Sequence, residues 1–206
     1  MRYEEWKPVY QEICEYFSFD PEDDERAART AADLSQADAS ADLRHLIRGK
    51  VVTVCGNAPC LKDDLNKAEG VIIAADAAAE VLVSAGITPD VIVTDLDGID
   101  GYALDLNRRG TILVVHAHGD NIPRLQFWIP RIEGPLILTT QGRPFANIRN
   151  YGGFSDGDRA VFMADACGAS KVSIIGFDCD DPALSPIKKG KLIWARRLLM
   201  MIGYDC

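Results

Sequence analysis

From Lys50 onward, short β-branched apolar runs alternate with segments long enough to form a helix, and no other feature restricts the fold so tightly. The runs cover residues 51–55, 71–75, 91–94, 111–116, 135–139 and 171–176 and are almost continuously apolar. A strand with one wet face alternates apolar and polar residues, whereas a continuous run needs cover on both faces, as in a parallel sheet. Segments 77–85, 100–109 and 156–167 are long enough for crossover helices. A last helix is expected over 189–202, with Leu192, Ala195, Leu198 and Leu199 at helical spacing. The pattern predicts an α/β fold: a doubly wound, mainly parallel, Rossmann-like sheet with right-handed crossovers.

The first fifty residues follow another rule. Tyr3, Trp6, Tyr10, Ile13 and Phe17 fall on one helical stripe. Asp20-Pro21 supplies an N-cap and a proline suited to the first helical position, ahead of an alanine-rich stretch to about Leu34. Residues 41–48 read as a further short helix. The expected organisation is an N-terminal helical layer over 1–49, packed on the core and without catalytic residues, followed by an α/β catalytic domain over 50–206. Residues 140–156 are the longest irregular stretch, and a loop of that length in a compact domain is more often functional than idle.

Charge narrows the partners. The net charge is −9, and a general nucleic-acid binder needs the opposite sign to neutralise phosphates. A small phosphorylated ligand remains compatible, because Mg²⁺ can bring positive charge into an acidic site. No apolar run approaches the roughly 20 residues that span a bilayer. The opening MRYEEWKPVYQEICEYF has no apolar core of a signal peptide. A soluble cytoplasmic protein is therefore expected, with neither membrane nor nucleic acid as partner and a homodimer as a candidate assembly. The six cysteines are scattered and read as small buried hydrophobes.

In open α/β sheets ligands bind beyond the carboxyl ends of the strands, so the polar residues that follow each strand matter most. They are Gly56-Asn57-Ala58-Pro59-Cys60, Asp76, Asp95-Leu96-Asp97-Gly98, His116-Ala117-His118-Gly119-Asp120-Asn121, Thr140-Gln141-Gly142 and Asp178. Nearly every strand delivers a carboxylate, imidazole or amide to the same edge. Asp95 and Asp97, one residue apart at a strand end, would project alike and share a hard cation, with Thr94 before them and Gly98 to turn the chain. His116 and His118 would lie on one side of extended backbone, offering metal ligands, a general base or donors to phosphate. Asp120 or Asn121 could instead cap the following helix.

Gly152-Gly153-Phe154-Ser155-Asp156-Gly157-Asp158-Arg159 joins a glycine loop to a helix start, where free N–H groups can hold phosphate and Arg159 can bind it with two bonds. The bland alternative is a capped helix, with Ser155 as the cap and Asp156 and Asp158 in the first turn. Gly56-Asn57-Ala58-Pro59 is neither a Walker A loop nor a dinucleotide fingerprint, and no nucleophile elbow occurs.

Together these motifs, in this order, resemble the archaeal 6-hydroxymethyl-7,8-dihydropterin pyrophosphokinases, a family related to thiamine pyrophosphokinases. The likeness covers roughly residues 50–203, and the ordered series is far more specific than any one motif. Cys60 stands where serine is usual and Ala77 where glycine is usual. The resemblance implies diphosphoryl transfer from ATP to the hydroxymethyl group of a reduced pterin, with release of AMP, in tetrahydromethanopterin or folate-type cofactor synthesis. Asp95 and Asp97 would then hold Mg²⁺, with Asp120 and Asp156 as further ligands. Thr94, Asn121, Gly153, Ser155, Asp156, Asp158 and Arg159 would meet the nucleotide and its phosphates. Arg159 and His118 would stabilise the transferring charge, and His116 or an aspartate would take the hydroxyl proton. Asn57 and Asp76 would read the acceptor ring. A transferase acting on thiamine or a nucleotide-sugar, as in flagellin modification, and a non-catalytic nucleotide-binding protein are the rival expectations.

Overall fold

The apolar runs do become strands, five of them central and the last at an edge of the sheet. A computed structural model describes residues 1–178 and 186–205, apart from the side chains of 186 and 187. Three helices come first: α1 (Tyr3–Phe17), α2 (Pro21–Leu34) and α3 (Ser40–Ile47). Then follow β1 (Val51–Cys55), α4 (Leu61–Asp64), β2 (Val71–Ala75), α5 (Ala78–Ser84), β3 (Val91–Thr94) and α6 (Gly101–Arg108). The second half holds β4 (Ile112–Ala117), α7 (Ile122–Trp128), β5 (Leu136–Thr140), β6 (Ile148–Arg149), α8 (Asp156–Ala166), β7 (Lys171–Ile175) and α9 (Pro186–Met201).

The strands form one sheet in the order β6-β5-β4-β3-β2-β1-β7, and every neighbouring pair is parallel. The sequence placed β4 and β5 one residue too early. It missed β6, which pairs through only Leu138–Ile148 and Thr139–Arg149 and is too short to leave a periodic signal.

Alternate strand residues face two apolar layers. Ile72, Ala74, Ile92, Leu113, Val115, Leu136 and Leu138 meet α2, α5, α6 and α7 on one face. Val52, Val54, Ile73, Val93, Val114 and Ile137 meet α3 and α8 on the other. Burial on both faces is what the unbroken apolar runs require. Cys14, Cys55 and Cys167 are buried and free, while Cys60 is partly exposed; Cys179 and Cys206 lie outside the described residues. No helix among the described residues is long and apolar enough to cross a membrane.

Helix α1 buries the predicted stripe of Trp6, Tyr10 and Ile13 against Phe162 of α8 and Trp194 and Leu198 of α9. Trp6 is 1% exposed, and its indole N–H donates to the carbonyl oxygen of Gln141 at 2.8 Å, just beyond the end of β5. Trp6→Ala removes both the packing and a donor. It should cost about 3–5 kcal/mol of stability, measurable by denaturant unfolding. A loss under about 1 kcal/mol would show that α1 is dispensable to the core.

Candidate active site

The site is assembled where β2, β3 and the crossover into α8 reach the carboxyl edge. Past β2, Asp76 adopts a left-handed φ of 48°, which a short polar side chain tolerates better than most. Its Oδ1 accepts from the Thr94 hydroxyl at 2.7 Å and from the Gly98 N–H at 3.3 Å. A Cβ on Gly98 would lie 2.0 Å from Asp76 Oδ2, so only glycine lets the β3 turn approach this carboxylate.

That turn overturns the expected pairing of Asp95 with Asp97. Two residues one apart share a side only while the chain stays extended. Here Leu96 is left-handed, with φ of 70°, and its side chain is buried in the core below. Asp97 is therefore thrown outward, its side chain 64% exposed and held by Arg124 at 2.6 Å. Asp97→Asn should leave turnover within about threefold of wild type, as expected for an exposed ion pair. A loss of a hundredfold in a steady-state assay would restore Asp97 to the site.

Asp156, the first residue of α8, takes the place expected of Asp97. One carboxylate oxygen each from Asp76, Asp95 and Asp156 lie within 4.8 Å of one another. The long crossover from β6 brings Asp156 there. Asn150 pins the crossover by donating to the carbonyls of Gln141 and Gly142 at 2.9 and 2.8 Å. Gly153, at φ of 85°, lies so close to α8 that an added Cβ would stand 2.4 Å from Arg159 Cα. Asp158 is spent on the helix start: it accepts from the N–H groups of Phe154 and Ser155 at 2.6 and 2.8 Å and from the Ser155 hydroxyl. It is a capping residue.

Arg159 is buried and donates to Asp156 Oδ1 at 2.9 Å and to the Phe154 carbonyl at 2.8 Å. Burial nonetheless raises the Asp156 carboxyl to about 8, with Arg159 opposing and Asp95 and Asp76 adding to the rise. Burial also lifts Asp76, against the Thr94 hydrogen bond. At Asp95 burial pulls upward too, but the contact with His118 outweighs it and the carboxyl sits below its ordinary value. His118 Nε2 stands 3.5 Å from Asp95 Oδ2, while its Nδ1 accepts from the Asp120 N–H at 3.3 Å. The ring proton therefore belongs on Nε2, facing the carboxylate.

A cavity of about 160 Å³ opens beside these groups, lined by Asp95, His116, His118, Asp120, Gln141, Ser155, Asp156 and Arg159 among others. Seven of these eight, all but Gln141, are residues the sequence marks as catalytic, metal or phosphate candidates; the side chains of the remaining candidates do not line the cavity. Asn57 is exposed in the loop after β1 and does not border the cavity. Asp76 lies with the carboxylates of Asp95 and Asp156. Thr94 orients Asp76, and buried Asn121 donates to the carbonyls of Asp95 and His116 at 2.8 and 2.7 Å, so both shape the edge from behind. Sequence reasoning missed the place of α2 at the site: Asp23 and Asp24 border the cavity, and Asp24 accepts from the Gly119 N–H at 2.9 Å and the Tyr10 hydroxyl at 2.6 Å. The acidic first turn after Asp20-Pro21 was the available signal, read only as a capped helix.

A parallel sheet with carboxylates, imidazoles and a buried arginine gathered past its strand ends places the chain among α/β enzymes that bind ligands at that edge. Residues 26–183 match the family model described as 6-hydroxymethylpterin diphosphokinase MptE-like. A 6-hydroxymethyl-7,8-dihydropterin pyrophosphokinase of Pyrococcus furiosus is 41% identical over 186 residues, covering 86% of this chain and 78% of the relative. The enzymes of that name from Methanothermobacter thermautotrophicus and Methanocaldococcus jannaschii are each 33% identical. The first alignment covers 97% of this chain and 94% of the relative, the second 86% and 80%. The chain belongs to the MptE-like family of 6-hydroxymethylpterin diphosphokinases, and it is a diphosphokinase. The family resemblance read from the motifs is the one these comparisons find.

Proposed function

We propose that the chain transfers a diphosphoryl group from ATP to the hydroxymethyl group of 6-hydroxymethyl-7,8-dihydropterin, releasing AMP, with Mg²⁺ held by Asp76, Asp95 and Asp156. The reaction would serve tetrahydromethanopterin or folate-type cofactor synthesis. The observation that carries the reading is the convergence of those three carboxylates in a family of pterin diphosphokinases. Three hard oxygen donors suit Mg²⁺, and crowding like charges at a partly buried site is unfavourable without a cation. Burial raises the Asp156 carboxyl, and the neighbouring Asp95 and Asp76 add to the rise. Bound there, Mg²⁺ would neutralise phosphate charge and help align the phosphates.

The chain's own groups supply the rest. The hydroxymethyl oxygen forms a bond to the β-phosphorus and passes its proton to an aspartate of the cavity or to water. The bond from that phosphorus to the α–β bridging oxygen breaks, and AMP departs with the oxygen. Arg159, with two N–H donors already used, directs its remaining donors to phosphate oxygens. His118 holds Asp95 in its ionised, oriented state.

The test is to mix ATP, Mg²⁺ and the reduced pterin and follow nucleotide products, with thiamine as the control acceptor. AMP in step with pterin diphosphate is expected, and none with thiamine. Formation of ADP, or of AMP regardless of acceptor, would overturn the proposal.

A further inference from the structure

Buried polar side chains in folded proteins are almost always paired, and the exceptions call for an explanation. Among the described residues five buried side-chain atoms have no partner, and two of them, His116 Nε2 and Gln141 Oε1, belong to residues lining the same cavity. Their coincidence beside the carboxylates is not required by the fold. His116 is the β4 residue in register with Thr139 of β5, and its Nδ1 lies 3.0 Å from the Thr139 hydroxyl oxygen. The same hydroxyl lies 3.3 Å from the Val115 carbonyl. With its hydrogen on that carbonyl it accepts from His116 Nδ1–H, the tautomer that leaves Nε2 as a bare acceptor. Burial, with Arg159 and His118 adding to it, holds the ring neutral by pushing its pKa well below the ordinary value.

Gln141 is fixed from behind. Its carbonyl oxygen accepts from the Trp6 indole and from Asn150, which anchors the backbone and leaves the side-chain amide uncommitted at Oε1. The flanking Thr140 and Gly142 line a second, larger cleft of about 620 Å³ between α1, α2 and the chain after β5, so Gln141 stands on the wall between two spaces.

We propose that His116 Nε2 and the Gln141 amide form a recognition floor that accepts N–H donors from an amino-bearing nitrogen heterocycle of the substrate. The inference rests on the proposed diphosphoryl transfer, which brings two such rings to the site: the pterin and the adenine of ATP. Both carry an amino group beside ring nitrogens, the donor–acceptor edge that a glutamine amide matches. A ligand lacking those donors leaves both acceptors unpaired and is rejected, which is how buried polar groups generate selectivity.

Binding without turnover tests this. Dissociation constants are measured for 6-hydroxymethylpterin alone and for ATP with Mg²⁺ alone, using wild type and Gln141→Met. The floor predicts that one of the two ligands binds about tenfold or more weakly to Gln141→Met while the other stays within twofold, and the affected ligand identifies the ring that is read. The unfolding midpoint of the unliganded variant should not fall, because an unpaired buried amide has been replaced by an apolar side chain of similar length. His116→Leu should weaken the same ligand, and the two losses should be non-additive. Both affinities within twofold of wild type would overturn the proposal, as would a lowered midpoint with equal weakening of both ligands. A wild-type chain that binds neither ring overturns the proposed function as well. Normal wild-type binding and turnover with unaffected variants sinks the recognition floor alone.

Discussion

Asp156→Asn should lower diphosphoryl-transfer turnover by about 10²–10³-fold, the scale seen when one preorganised charge-stabilising group is removed from a site. Two effects act together. The cluster of Asp76, Asp95 and Asp156 loses one of its three anionic donors. Arg159, only 4% exposed at its side chain, loses its counter-ion and is left as a buried charge with neutral oxygen acceptors alone. Asparagine keeps the size and leaves the Ser155–Asp158 capping pair untouched, so α8 should still begin where it does. Single-turnover assays at saturating Mg²⁺ and ATP, alongside circular dichroism, separate chemistry from folding. Turnover within threefold of wild type would remove Asp156 from the site.

Mg²⁺ affinity should rise about tenfold per pH unit between pH 6 and 8 and then level off. Burial lifts the Asp156 carboxyl from 3.8 to about 8 in the metal-free protein, so near neutrality it is largely protonated. A bound cation needs the carboxylate, so below about pH 8 binding must displace a proton, and each unit of pH costs a factor of ten. The same shift has the opposite sign for stability. A carboxyl with a raised folded pKa gives up stability as pH rises, beginning at its unfolded value near 4 and complete above about 8. Mg²⁺ should therefore stabilise the protein most at alkaline pH. Calorimetry in buffers of different protonation enthalpy should find close to one proton released per Mg²⁺ bound at pH 7. An affinity that does not change between pH 6 and 8 would show that Asp156 is not a ligand.

The strands other than β6 were legible because their apolar runs needed cover on two faces, and they announced it to within a residue. The edge where ligands gather was legible for the same reason, since polar residues cluster where those runs stop. What failed was local geometry at the stops. Asp95 and Asp97 would share a side if β3 continued, but burying Leu96 demanded a left-handed residue and split the pair. Asp76 looked like a lone polar strand end because nothing in sequence shows that Thr94 and Gly98 close around it. Asp156 does lie with Asp76 and Asp95, while the capping box at the start of α8 joins Ser155 to Asp158. The contribution of α2 was hidden by distance along the chain, since only docking against Gly119 brings Asp23 and Asp24 to the cavity. Gln141 was visible as a polar strand end, yet only an unpaired buried amide sets it apart.

The route of the chain into α8 also governs when the site comes into being. Asp76 and Asp95 follow neighbouring strands, β2 and β3, and meet early in any assembly of the sheet. Their third partner arrives only after the chain has passed through β4, β5 and β6 and returned across the strand ends. Contacts between residues far apart in sequence form late, because the loop between them must close first. A partly synthesised or partly refolded chain can thus carry Asp76 and Asp95 together and still lack the third carboxylate of the proposed metal site. If Mg²⁺ binds as proposed, recovery of its binding during refolding should lag behind the pairing of β2 with β3.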